Sequence, residues 1–237
     1  MTHWKTKLTL VFTASLFVAL APLAVAFDNM QTDLSAQDIL TRSQAAYDAL
    51  SSYSDDAATV HSVGGKKDHT WRTRIRVGRP NLYLVEWHEE TPDSLSSSGS
   101  NDFAFWSQGD GAYGGSRERG FGRFPGEALL QMATQDMAYI PYIFFSSKSA
   151  GNPLCCAVSR YVLAPDERVG DVDCYVLTGA QLVRDGEIYT LWIGKNDFLI
   201  RQIRAVSLHG VTTQTHSNIV MNVQMSSADF APPKPNE

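Results

Sequence analysis

The amino-acid sequence predicts a mainly β (α+β) domain organised as one long antiparallel sheet of about ten or eleven strands, curled so that helices cover its concave face. Residues 69–77 alternate, with Trp71, Thr73, Ile75 and Val77 on one side and Arg72, Arg74 and Arg76 on the other. That is the pattern of a strand with one buried and one solvated face. Residues 82–89 are apolar on both faces, Tyr83, Val85 and Trp87 opposing Leu82 and Leu84, so the second face needs a cover. The last third of the chain reads as a meander of short β runs separated by polar turns.

Taken from the start, Lys5 and Lys7 precede an apolar run from Leu8 to Leu23, followed by Ala24-Val25-Ala26 and Phe27-Asp28. A basic start, a short apolar core and an A-x-A site describe a secretory signal peptide. Thr9, Thr13, Ser15 and Pro22 interrupt the run, which is short for a bilayer span. Cleavage is expected after Ala26, leaving residues 27–237 as a single soluble domain in the periplasm. The 237-residue chain has a formal charge of −5; residues 27–237 hold 18 basic side chains against 25 acidic ones, a net −7. That balance argues against nucleic acid and anionic membrane surfaces as partners. Outside the cytoplasm one disulfide is expected among the three cysteines, pairing Cys174 with Cys155 or Cys156.

Ser35 opens the first helix, and Asp38 three residues later completes a capping-box signature. Ile39, Leu40, Ala46, Tyr47 and Leu50 form an apolar face at helical spacing, and the helix is expected to end near residues 51–53. Strand signals take over from there. A Ser-rich loop spans residues 91–100, and residues 103–107 and 111–114 read as a hairpin around Gly109-Asp110. Residues 114–126, rich in glycine and arginine, read as irregular, and 127–145 as a second helical region that Pro141 should break or kink. The final meander is expected at residues 157–164, 172–182, 187–193, 199–208 and 211–223, with one turn at Asp166-Glu167.

Gly78-Arg79-Pro80-Asn81-Leu82-Tyr83, followed by Ser107-Gln108-Gly109-Asp110-Gly111-Ala112-Tyr113, resembles the periplasmic lipoprotein-carrier superfamily typified by LolA. The resemblance continues through Val169-Gly170-Asp171-Val172-Asp173-Cys174-Tyr175, Leu191-Trp192-Ile193, Phe198-Leu199-Ile200-Arg201 and Asp229-Phe230-Ala231-Pro232-Pro233. Within that superfamily it is similar to the branch of uncharacterised periplasmic proteins. The resemblance implies an open half-barrel with a helical lid over a hydrophobic cavity that accepts acyl chains. By position it makes Arg79 the residue that locks the lid, since a guanidinium fork can hold several backbone carbonyls at once. Tyr83 and Val85 match cavity-facing positions, and strand alternation adds Trp87 and, on the preceding strand, Trp71, Ile75 and Val77. Phe103 and Phe105, with Leu129, Leu130, Met132, Ala133, Met137 and Ile140 of the second helical region, complete the expected ligand-binding set.

Without a ligand, the same aromatic residues serve to fill a core. Catalysis is not expected: the sequence has no G-x-S-x-G, H-E-x-x-H or G-x-x-x-x-G-K-[ST] motif, and His61, His69, His88, His209 and His216 are scattered. His88-Glu89-Glu90 reads as a solvated strand end because neighbours on a strand face opposite ways. No metal and no cofactor are expected. The functional expectation is a periplasmic carrier for a lipid or lipoprotein anchor. The alternative is an envelope sensor or protein-interaction domain with a packed core and an envelope protein as its partner.

Overall fold

The computed structural model describes residues 34–90, 102–116, 119–124, 139–146, 158–181 and 187–231. Helix α1 (Ala36–Ala49) leads into β1 (Ser52–Val63), β2 (Lys66–Gly78), β3 (Leu82–Glu90), β4 (Phe103–Gln108), β5 (Ala112–Ser116) and β6 (Gly120–Phe124). Helix α2 (Tyr139–Ser146) precedes β7 (Val158–Val169), β8 (Val172–Gln181), β9 (Ile188–Gly194), β10 (Ile200–Ser207) and β11 (Gly210–Met221), and a 3-10 turn spans Ser227–Phe230. The strands form one antiparallel sheet of 11 strands in the order β6-β5-β4-β3-β2-β1-β11-β10-β9-β8-β7. Each half is a simple meander, and the β1–β11 pairing welds them together. Among the described residues, strands β6 and β7 are the two edges, and the sheet they bound is an open half-barrel rather than a closed one. The signal-peptide segment lies outside the described residues. No helix among the described residues is long and apolar enough to cross a membrane.

Helix α1 starts as its sequence dictates. The Ser35 hydroxyl accepts from the Asp38 amide at 3.1 Å, and the Asp38 carboxylate accepts from the Ser35 amide at 3.0 Å. This reciprocal box satisfies two of the amides that a helix start leaves unpaired. Ile39, Leu40, Ser43, Gln44 and Tyr47 form the buried face, and the helix ends at Ala49, slightly earlier than expected.

Both helices pack on one face of the sheet. Ile39, Leu40 and Tyr47 of α1 and Ile140, Ile143 and Phe144 of α2 share a core with Tyr53, Ile75, Val77, Tyr83, Val85, Leu177, Leu191 and Ile193. The opposite face carries two smaller clusters, one of Leu84, Ala104 and Trp106 closed by Phe230, the other of Cys174, Val176 and Trp192. Strand β3 is therefore covered on both sides, as its apolar residues require: the helices lie on one face and Phe230 on the other.

Several expectations are corrected. The Gly/Arg-rich segment is not irregular, because residues 112–116 and 120–124 pair as β5 and β6. Glycine lets that hairpin lie close to β4: a Cβ at Gly114 would run into the Phe105 ring. Strand β7 runs straight through the expected turn at Asp166-Glu167 to Val169, absorbing Pro165 with a register shift at Ala164/Glu167. An edge strand tolerates a proline because one row of its amides has no partner strand. Pro141 lies inside the first turn of α2, where a missing amide costs no intrahelical bond. Cys174 is a free thiol, so the expected bridge to Cys155 or Cys156 is not formed at this residue. It sits in the outer cluster beside Val176 and Trp192, and its thiol donates to the Val172 carbonyl at 3.5 Å. Cys155 and Cys156 lie outside the described residues.

Candidate functional site

Arg79 follows Gly78 at the end of β2, and its turn brings the side chain under the C-terminus of α1. Its amide donates to the Ser51 carbonyl at 3.0 Å. Its guanidinium donates from Nε to the Leu50 carbonyl at 2.9 Å, and from Nη2 to the Tyr47 and Phe144 carbonyls at 3.3 and 2.9 Å. The group also lies 4.5 Å from the centre of the Phe144 ring. Carbonyls at a helix end lack intrahelical donors and carry partial negative charge, so a cation suits them. The same contacts tie α1 to α2. Gln44 adds a second tie, donating to the Ile143 carbonyl at 3.3 Å and to Asp48 Oδ1 at 2.9 Å.

Beneath these helices, register sets the apolar face. Val77 pairs with Tyr83, Ile75 with Val85, Thr73 with Trp87, and Val85 in turn with Phe105. The Trp87 and Phe105 rings meet edge-on at 5.2 Å, and Tyr83 meets Phe145 of α2 at 6.0 Å. Burial alone pushes the Tyr83 hydroxyl far above its usual ionisation range. Ile75, Val77, Tyr83, Val85, Trp87, Phe105 and Ile140 thus converge on one core. Two of the expected residues do not join it. Trp71 is half-buried and stacks on His69 at 5.4 Å, while Phe103 at the strand end is 38 % exposed. Leu129, Leu130, Met132, Ala133 and Met137 lie outside the described residues.

The residues that sequence reasoning missed are polar. Asp55 and His216 have fully buried side chains, with His216 Nδ1 2.5 Å from Asp55 Oδ2. The Tyr53 hydroxyl donates to the same oxygen at 2.7 Å. Burial first, and the Asp55 charge second, hold the Tyr53 hydroxyl well above its usual range. Gln214 Nε2 donates to the Thr59 hydroxyl at 3.1 Å, and the Tyr47 hydroxyl accepts from the Ile200 amide at 3.1 Å. The only sequence signal was polarity at alternate positions of β1, Asp55 and Thr59, which by itself reads as a solvated face.

The outer face of the sheet carries a groove of about 520 Å³ lined by Asp56, Arg72, Arg74, Glu86, His88, Asp102 and Phe121, among others. Its charges are mutually paired: Arg74 lies 3.6 Å from Asp56 and 3.9 Å from Glu86, and His88 lies 2.5 Å from Asp102. Such exposed pairs contribute little to stability. No group of three potential metal ligands occurs among the described residues.

An open antiparallel half-barrel with helices on its inner face is the class of protein that this architecture defines. The sequence matches no established family profile and no curated protein. Similar solved structures include an uncharacterised conserved protein from Thermus thermophilus, with a TM-score of 0.51 and 12 % identity over 84 % of this chain and 94 % of that one. Lipoprotein LppX of Mycobacterium tuberculosis is similar with a TM-score of 0.48 and 14 % identity over 81 % of this chain and 100 % of that one. A LolA superfamily protein from Nitrosomonas europaea is similar with a TM-score of 0.37 and 14 % identity over 84 % and 98 %. At these identities the likeness is one of fold alone.

Proposed function

We propose that this chain is an exported, non-catalytic carrier that holds the hydrocarbon of an acylated ligand, a lipid or a lipoprotein anchor, between the half-barrel and its helices. The observation that carries this reading is the Arg79 clamp. A single side chain ties α1 to α2 through three backbone carbonyls above an apolar, aromatic inner face. Hydrogen bonds to backbone can be exchanged for water at modest net cost, whereas interdigitated core packing cannot. Opening would lift α2 from α1 and expose the inner face; an acyl chain buried there would gain roughly 0.8 kcal/mol per methylene. The leader-like first residues support a periplasmic setting for this role.

Native mass spectrometry, with solvent extraction, on protein purified from periplasm without detergent tests the proposal. A stoichiometric acyl adduct is the expected result. A clean apo mass, together with no uptake of added fatty acid or lipopeptide, would overturn it. One observation favours a second reading, a protein-interaction domain: Ile75, Val77, Ile140, Ile143 and Phe144 are already fully buried against one another, as in a filled core. That reading predicts the apo mass and a specific envelope protein recovered by pull-down.

A further inference from the structure

The inner face beneath the helices is not uniformly apolar. Register sets Ala57 of β1 between Thr73 of β2 and His216 of β11, and Thr59, two residues on, beside Gln214. Asp55 precedes Ala57 on the same face. All four polar flanking residues are buried: Asp55 is 3 %, Thr73 2 %, Gln214 0 % and His216 4 % exposed. Each keeps one polar atom without a hydrogen-bond partner among the described residues, namely Asp55 Oδ1, Thr73 Oγ1, Gln214 Oε1 and His216 Nε2. A buried polar atom left unpaired keeps the full penalty of having been taken out of water, so four of them on three adjacent strands need a reason.

Two of these atoms can only accept a hydrogen bond, and two can act either way. Asp55 Oδ2 accepts from Tyr53 and faces His216 Nδ1. With Nδ1 facing that carboxylate, Nε2 is the free ring nitrogen, an acceptor in the neutral imidazole and a donor in the charged one. Gln214 commits its amide nitrogen to Thr59, which leaves the carbonyl oxygen. Asp55 Oδ1 can only accept, and the Thr73 hydroxyl can do either. A carboxylate or phosphate placed here would add acceptors and a like charge beside Asp55. A hydroxyl donates to one of these acceptors, can accept in turn from Thr73, and stays neutral.

We propose that Asp55, Thr73, Gln214 and His216 form a polar subsite on the floor of the half-barrel that binds a hydroxyl group of an acyl ligand. This rests on the carrier reading above and adds a selectivity to it. The hydroxyl belongs either to the chain itself or to a glycerol head, and uncharged probes separate the two. The affinities of methyl 3-hydroxypalmitate, 1-monopalmitoylglycerol and methyl palmitate are measured by calorimetric titration on the protein from residue 27 onwards. At least one hydroxylated probe should bind about tenfold tighter than methyl palmitate, and which one does identifies the source. Thr73→Val and Gln214→Met, which keep side-chain volume, should each reduce that ratio to within about twofold. Equal affinity of all three probes for the wild-type chain would overturn the subsite while leaving the carrier reading intact. A ratio unchanged in both variants would overturn the assignment to these residues. Failure of every probe to bind would remove the carrier reading and the subsite together.

Discussion

Arg79 connects stretches of backbone that lie 29, 32 and 65 residues away from it in sequence. Arginine is required because one planar fork reaches several carbonyls; lysine is a single point donor. Arg79→Leu should destabilise the domain by about 1–3 kcal/mol in urea titration, the worth of its charge-assisted bonds. The amides of α2 should meanwhile lose hydrogen-exchange protection more than those of β2. Equal loss across both would mean that Arg79 supports the whole domain rather than the helices. At the opposite face, burial raises the pKa of the Cys174 thiol and so disfavours the thiolate, which is the reactive form. In a Cys155→Ser, Cys156→Ser background, Cys174 should therefore resist maleimide until denaturant is added. Rapid labelling of the folded chain would contradict the packing described for it.

Secondary-structure elements differ in how plainly the chain announces them. Strands β2 and β3 were legible because their apolar residues recur at period two, and α1 because its cap and apolar face agree. Strand β1 was not individually legible: its inward positions include Asp55 and Thr59, and polarity there has meaning only once a partner strand supplies His216 and Gln214. The β5–β6 hairpin was hidden by glycines, which lower strand propensity yet allow close approach to Phe105. Gly114→Val should accordingly destabilise the domain by about 1–3 kcal/mol through overpacking, read as a lowered urea midpoint. A neutral effect would show that Phe105 can move aside. Removing the helix cap with Ser35→Ala should cost about 1 kcal/mol, also by urea titration.

Across the molecule, burial of tyrosine hydroxyls couples stability to alkaline pH. Tyr47, Tyr53 and Tyr83 all have a raised pKa, in each case mainly because of burial. Above about pH 10 the unfolded chain releases these protons while the folded chain retains them. The folded state then binds more protons, so stability falls as pH rises; below about pH 10 the three phenols contribute no slope. Thermal unfolding should occur at markedly lower temperature at about pH 11 than at about pH 8, with a shallower dependence for Tyr83→Phe. An identical pH dependence for that variant would place the alkaline sensitivity elsewhere.

The alternation of apolar residues, the capping signature of α1 and the covered faces of β3 are local properties, and they were enough to specify a curled, mainly β sheet with helices on one side. Local pattern also put Tyr83, Val85 and Trp87 on one face of their strand, because a strand turns each successive side chain to the opposite face, and the family resemblance marked that face as the inward one. What required the tertiary structure was every relation between the two halves of the chain. Asp55 and His216 are 161 residues apart and meet only because β1 pairs with β11. Sequence periodicity reports which face a residue takes, but not which distant strand will lie beside it, since that choice is made by the packing of the whole sheet.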